Sequence, residues 1–197
     1  MYAGGHLLTS TLAATKLWSR SELSFRTTTA LLLAANTIDF DHLLRYQLDD
    51  GTANSLTLHW LHVNSGVVFL LLLGLAFFYR KYRAHALVFT AGLALHFAMD
   101  AFAFVLDYSI LKLGLVDLSL LVILTAVAWK TTLPVSRTRL IAFYSTWWIV
   151  VNGVQAGLHF LGGFKPDENG WIYAISPALL GLAALSAWVI LKEKEQV

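Results

Sequence analysis

Several runs of apolar residues in this chain approach the roughly 20 residues that an α-helix needs to cross a bilayer. The chain has 197 residues, of which 57% are hydrophobic and 13% charged, and its mean hydropathy is +0.64. A soluble domain carries about 25% charged residues. We therefore predict an all-α fold, a polytopic transmembrane helical bundle, in which residues 1–197 form a single transmembrane domain.

The apolar runs predict about seven helices. They cover roughly residues 5–18, 27–44, 58–79, 84–106, 113–129, 140–161 and 171–191. The first run is short for a membrane span. In the last run, Ser176 and Pro177 resemble an N-cap followed by proline at the first helical position, so we expect this helix to start or kink there.

The loops between the predicted helices alternate in positive charge. Three of them, after the first, third and fifth helices, are basic: they hold Lys16, Arg20 and Arg26; Arg80, Lys81 and Arg83; and Lys130, Arg137 and Arg139. The positive-inside rule then predicts an N-terminus outside and a C-terminus inside. The net charge of +2 is scattered over the chain, which does not favour nucleic acid as a partner.

Clusters of histidine and aspartate interrupt the apolar runs at the ends predicted to face outside. They are Asp39, Asp41 and His42; His59 and His62; and His96 and Asp100, joined on that side by His6 and His159. Ionisable side chains are costly within a bilayer and usually mark a functional site there. Because the orientation rests on Lys and Arg alone, the convergence of six of the seven histidines independently supports one site facing outside.

A bound divalent metal would explain these clusters together. The predicted ligands are His6, Asp39, Asp41, His42, His59, His62, His96 and Asp100. His96 and Asp100 are four residues apart and therefore share a helix face, where they either bind metal or tie helices together by a hydrogen bond. Asp41 is either a ligand or a residue that orients a ligating histidine, and the histidine pair of the third helix could instead face water and headgroups.

The donor set indicates the metal and the number of ions. Nitrogen and carboxylate ligands, in a chain without cysteine, favour zinc, with manganese or iron as alternatives. A single catalytic zinc uses about three protein ligands, so the larger set predicts two ions, about 4 Å apart, of the kind that activate water for hydrolysis. Asp41 or Asp100 would act as the catalytic proton acceptor.

Further polar residues on the same side are candidates for binding substrate. They are Asn64, Ser65, Asn152, Gln155 and His159. The last three lie on one predicted helix, where they could equally hold neighbouring helices together.

The order of these motifs resembles a family of predicted membrane-bound metal-dependent hydrolases, the YdjM-like, LexA-binding inner-membrane group, and a related set of small membrane proteins. The resemblance covers about residues 4–104 and rests on Gly5-His6, Asp39-Phe40-Asp41-His42 and His96-x-x-x-Asp100. Residues 1–106 thus form the half that bears the motifs, whereas 107–197 match no motif. Where the family has His-Arg-Gly-x-Thr-His-Ser, this chain has His-Trp-Leu-His-Val-Asn-Ser over 59–65, with the second histidine displaced and the arginine absent.

The resemblance implies a metal-dependent hydrolase in a bacterial inner membrane, with its site on the periplasmic side. We expect it to cleave a phosphoester, ester or amide bond of a lipid or lipid-linked substrate near the outer leaflet, because the site is predicted at bilayer depth beside Phe97, Phe102 and Phe104. Two alternatives remain: a membrane transporter of ions or metals, since His and Asp also line ion pathways, and a structural membrane protein whose metal only staples helices.

Overall fold

The computed structural model describes residues 3–41, 61, 64–106, 110–162 and 172–193, and within these ranges the chain forms helices and no β-strand. In these ranges the structure gives the bounds of seven α-helices: α1 (Ala3–Leu17), α2 (Phe25–Ala34), α3 (Ser65–Phe78), α4 (Arg83–Val105), α5 (Ile110–Lys130), α6 (Arg137–Gly162) and α7 (Ile172–Ile190). The predicted all-α class is confirmed. For the last four helices, the ends predicted from hydropathy lie within three residues of the ends in the structure.

Two helices differ from expectation. α7 begins at Ile172 and continues through Pro177, so the predicted start at Ser176 is wrong. Proline this close to a helix N-terminus removes only one ladder hydrogen bond, and the helix extends past it. The second predicted segment, 27–44, does not continue as one α-helix, because α2 ends at Ala34 and gives way to a 3₁₀ turn, Ala35–Asp41.

Polar side chains explain this change at the end of α2. The amide nitrogen of Asn36 donates hydrogen bonds to the carbonyls of Leu32 and Leu33, both at 3.1 Å. Thr37 Oγ1 donates to the carbonyl of Ala34 at 2.7 Å. The last carbonyls of an α-helix lack backbone partners, and side chains that bind them compete with continuation of the helix. The resulting tighter 3₁₀ turn carries Asp39 and Asp41.

The opposite end of α2 is fixed by capping. Ser24 is the N-cap residue, and its Oγ accepts a hydrogen bond from the N–H of Thr27. Glu193, just beyond α7, accepts the N–H of Phe25. A carboxylate is favourable at the positive end of a helix dipole, so this contact holds the end of α7 beside the start of α2.

The short helix α1 lies at the centre of the fold. It packs against α2, α4, α5, α6 and α7. Leu7, Leu8 and Ser10 are buried on different sides of α1, as expected for a helix enclosed by neighbours. The run that is short for a membrane span is thus the one around which the others assemble.

Glycine allows α4 to approach α2 closely. A Cβ atom at Gly92 would lie 2.7 Å from the Cβ of Ala35 and 3.2 Å from the Cα of Leu32. Both distances are below ordinary van der Waals contact, and the atoms belong to the backbone or are attached to it. Gly92 is one helical turn before His96, so the close approach brings the imidazole of His96 to the 3₁₀ turn.

Much of the outer surface is apolar. Helical stretches over Arg80–Ala103 and Lys112–Lys130 are long and apolar enough to cross a membrane, and α3 and 175–190 of α7 are shorter apolar helices. α3 packs on α4 and turns most of its large side chains outward; Leu70 is 71% exposed and Phe77 is 77% exposed. A soluble monomer rarely exposes contiguous apolar surface on this scale, and such surface marks a membrane or protein contact.

Candidate metal centre

Four side chains from three elements meet in one cluster. His6 Nε2, from α1, lies 3.1 Å from Asp100 Oδ1 of α4. His96 Nε2, also from α4, lies 3.0 Å from Asp100 Oδ2 and 3.1 Å from Asp39 Oδ1 of the 3₁₀ turn. The two imidazole rings are stacked with their centroids 4.6 Å apart. The cluster thus joins α1, α4 and the end of α2.

The cluster is largely buried. His96 is 1% and His6 2% exposed, and Asp100 is 9% exposed. The side chain of Asp39 is 20% exposed, and the neighbouring Phe40 is an exposed large apolar residue. Asp39 is thus the most exposed of the four side chains.

His96 is oriented by a residue that is not a candidate ligand. Its Nδ1 lies 3.1 Å from Oδ1 of Asn36. A carbonyl oxygen only accepts hydrogen bonds, so Nδ1 carries the proton and donates. Nε2 is then the nitrogen that faces Asp39 and Asp100.

The donor set fits a divalent cation. His6, His96 and Asp100 offer ligand atoms that all lie within 4.8 Å of one another, and together they could hold a metal ion. Zinc bonds of about 2.0–2.2 Å would separate adjacent tetrahedral ligands by about 3.3 Å, whereas the close nitrogen–oxygen pairs are at 3.0–3.1 Å. These nitrogen–oxygen pairs would have to open by a few tenths of an ångström, whereas the widest pair among the three ligand atoms, up to 4.8 Å apart, would have to close. A histidine that ligates a metal usually donates a hydrogen bond from its other ring N–H to an oxygen acceptor, as His96 does to Asn36.

Of the remaining predicted ligands, Asp41 is the one that the structure describes. It is buried, and its Oδ2 accepts the backbone N–H of Leu61 at 3.0 Å, which ties the 3₁₀ turn to the chain before α3. His42, His59 and His62 lie outside the described residues, so their predicted role as ligands stays a prediction.

The predicted substrate-binding residues lie on two helices. Asn64 and Ser65 begin α3, where the Asn64 carbonyl accepts the N–H groups of Val67 and Val68. Asn152 of α6 packs on α1, where its amide occupies the space a Cβ on Gly4 would need.

Gln155 and His159 lie further along α6. Gln155 Nε2 donates to Ser176 Oγ at 2.8 Å and so links α6 to α7. The side chain of His159 is outside the described part of the structure. A substrate-binding role for these residues therefore stays a prediction.

Three buried polar residues are not among the sequence candidates. Asn36 and Ser10, both buried, are hydrogen-bonded to each other at 3.1 Å. Asp117 is buried in α5 beside Trp148 and Asn152. Helical spacing could have indicated the first two, because Ser10 follows His6 by four residues and Asn36 precedes Asp39 by three.

Comparison of the chain with protein-family models, with curated proteins and with solved structures finds no match. The interpretation of the cluster therefore depends on its geometry and chemistry.

Proposed function

We propose that this chain is an integral-membrane hydrolase that uses one or two divalent metal ions, zinc foremost, to cleave a lipid or lipid-linked substrate near the outer leaflet. The observation that carries the proposal is the convergence of His6, His96, Asp39 and Asp100, which lie far apart in the chain, on one largely buried cluster. Ionisable groups buried in an apolar bundle are costly. A bound cation would offset that cost, and the proposed membership in the YdjM-like hydrolase family would account for the same residues.

The surface supports a polytopic membrane arrangement. Three cation–π pairs join Arg26 to Trp188, Lys81 to Tyr82 and Arg137 to Trp129, with the cation 5.3–6.0 Å from the ring centroid. All three lie at helix ends that the positive-inside rule assigns to the cytoplasm. Aromatic and basic side chains concentrate at such membrane–water boundaries, and the exposed apolar side chains of α3, α5 and α7 lie between these ends and the outer ones.

Labelling of the two ends of α5 tests this orientation. Because the chain has no cysteine, Lys112→Cys and Lys130→Cys each introduce a single thiol at an exposed position. We expect a membrane-impermeant maleimide to label Lys112→Cys in intact cells and Lys130→Cys only after permeabilisation. Labelling of both variants in intact cells, or the reverse pattern, would contradict the proposed topology.

Asp100 divides the cluster into two halves. Its Oδ1 faces His6, whereas its Oδ2 faces His96. A carboxylate in this position can give one oxygen to each of two cations. One cation would then be held by His6 and Asp100, and the other by His96, Asp39 and Asp100, with the histidines outside the described residues available to complete either half.

The proposed chemistry assigns distinct roles to the acidic residues. Divalent ions in such a site activate water and polarise the scissile group. Asp100 and Asp41 are the candidate proton acceptors: Asp100 faces both imidazoles, and Asp41 is buried in the same turn as Asp39, where its Oδ2 accepts the N–H of Leu61. Phe40 and Phe102 are exposed, and these rings would contact the acyl part of a substrate.

Elemental analysis with a hydrolysis screen tests the proposed function. Protein purified in detergent without chelator is expected to contain about two equivalents of zinc, manganese or iron, and to hydrolyse at least one lipid phosphoester, ester or amide. His96→Ala should lose both metal and hydrolysis. His85→Ala, which removes a half-buried histidine at the other end of the same helix, should keep both. A folded wild-type protein without metal, or metal without hydrolysis of any such lipid, would refute the proposal.

A further inference from the structure

We infer that Asn36 is a positioning residue that fixes the tautomer of His96 and so presents the Nε2 lone pair to a cation. The contact between His96 Nδ1 and Asn36 Oδ1 at 3.1 Å, 60 residues apart in the chain and fully buried, is the direct observation. The inference deepens the proposed function, on which its consequence for metal binding rests.

The orientation of the Asn36 amide follows from its other contacts. Its nitrogen lies 3.1 Å from the carbonyls of Leu32 and Leu33 and 3.1 Å from Ser10 Oγ. Carbonyl oxygens only accept hydrogen bonds, so the NH₂ group must point towards them. Ser10 Oγ lies 3.4 Å from the Leu32 carbonyl, to which it donates, and it can therefore accept from Asn36. The opposite end of the amide, Oδ1, is left facing His96.

This amide orientation constrains the imidazole. An oxygen acceptor at Nδ1 requires the proton there, and a neutral ring then has its lone pair on Nε2. Nε2 lies between Asp39 and Asp100, at 3.1 and 3.0 Å. Without Asn36, a neutral ring would favour the other tautomer, with N–H at Nε2 donating to the carboxylates, and that proton would occupy the position of a metal. Asn36 thus keeps the nitrogen at the centre of the cluster available as a ligand.

A purely structural role for Asn36 makes different predictions. Its NH₂ group satisfies carbonyls at the end of α2, so any substitution could disturb the 3₁₀ turn. Two variants separate the roles. Asn36→Leu and Asn36→Asp both lose the donors to Leu32 and Leu33, but only Asn36→Asp keeps an acceptor for Nδ1. Ser10→Ala removes a partner of the amide and leaves Oδ1 in place.

Metal affinity is the first readout, measured by chelator competition on the full-length protein with zinc. Loss of a hydrogen-bond partner behind a ligating histidine costs about 10–100-fold in affinity. We expect that loss in Asn36→Leu, and an affinity near that of the wild type in Asn36→Asp and Ser10→Ala. Equal losses in Asn36→Leu and Asn36→Asp would indicate a structural role and overturn the inference, as would no loss in Asn36→Leu.

The second readout is the unfolding temperature of the same variants without added metal. Asn36→Leu and Asn36→Asp both lose the donors to Leu32 and Leu33, so we expect both to be destabilised. A fall confined to Asn36→Leu would assign its weaker zinc binding to a disturbed 3₁₀ turn and overturn the inference. Both readouts are made without substrate, so they still decide the role of Asn36 if no lipid is hydrolysed.

Discussion

Asp100→Asn is expected to abolish binding of both cations, whereas Asp39→Asn should remove only one. The reason is that Asp100 faces His6 with one carboxylate oxygen and His96 with the other, while Asp39 contacts only the His96 half of the described cluster. An amide of the same shape donates from one of its two positions and carries no negative charge. We therefore expect a loss in affinity larger than the roughly 10–100-fold that follows removal of an outer hydrogen-bond partner.

Metal content and thermal unfolding in detergent together check this prediction. A ligand present at 100 times its dissociation constant stabilises the folded state by about 2.7 kcal/mol, so added zinc should raise the unfolding temperature of the wild type and leave that of Asp100→Asn unchanged. Asp117→Asn is the matched control, because Asp117 is also a buried acid but lies on α5. Normal metal content in Asp100→Asn would contradict its role in both halves. If the wild type contained one equivalent of metal, and Asp100→Asn and Asp39→Asn lowered its affinity equally, the site would hold one ion.

Gly92→Ala is expected to destabilise the fold and to lower metal binding as well. The added methyl group would lie 2.7 Å from Ala35 Cβ and 3.2 Å from Leu32 Cα, which forces α4 away from α2. Overpacking of this kind costs about 1–3 kcal/mol. His96 is one turn further along α4, so the displacement would lengthen its contacts with Asn36 and Asp39. The free energy of unfolding in mixed micelles and the metal content per protein measure the two effects.

Gly114→Ala provides the control for this substitution. A Cβ atom at Gly114 meets nothing within 4 Å, and alanine is favoured over glycine within a helix by up to about 1 kcal/mol. This variant should therefore be as stable as the wild type or more so, with unchanged metal content. If Gly92→Ala behaved in the same way, the close approach of α4 to α2 would not determine the position of His96.

Hydropathy predicts most of the helices because their length and composition are local properties. The start of α4 and the end of α5 lie where Arg or Lys borders an apolar run. Hydropathy does not predict the end of α2, because this end depends on whether Asn36 and Thr37 bind the preceding carbonyls or point elsewhere. Nor does hydropathy indicate which helix is central. α1 contains Ser10, Thr11 and Thr15, whose hydroxyl groups donate to carbonyls of α1 or α2, and such hydrogen-bonded polar groups suit a helix surrounded by protein.

The sequence predicts only part of the candidate site. The pairing of His96 with Asp100 follows from a spacing of four residues, which any helix places on one face. The approach of His6 and Asp39 depends on how α1, α4 and the 3₁₀ turn pack, which no local pattern encodes. Sequence patterns miss the role of Asn36 for a different reason. This role depends on the direction of its amide group, which Leu32, Leu33 and Ser10 set only in the folded chain.

The central position of α1 also has a consequence for biosynthesis. His6 is made first, and its partner Asp100 follows 94 residues later. At about 5–20 residues per second, the ribosome needs roughly 5–20 seconds to reach it. For most of that interval α1 has none of its later neighbours α4–α7, and a chain that stops before Asp100 leaves His6 without this carboxylate. The cluster can be completed once α4 has been made, whereas closure of the bundle around α1 also requires α5, α6 and α7.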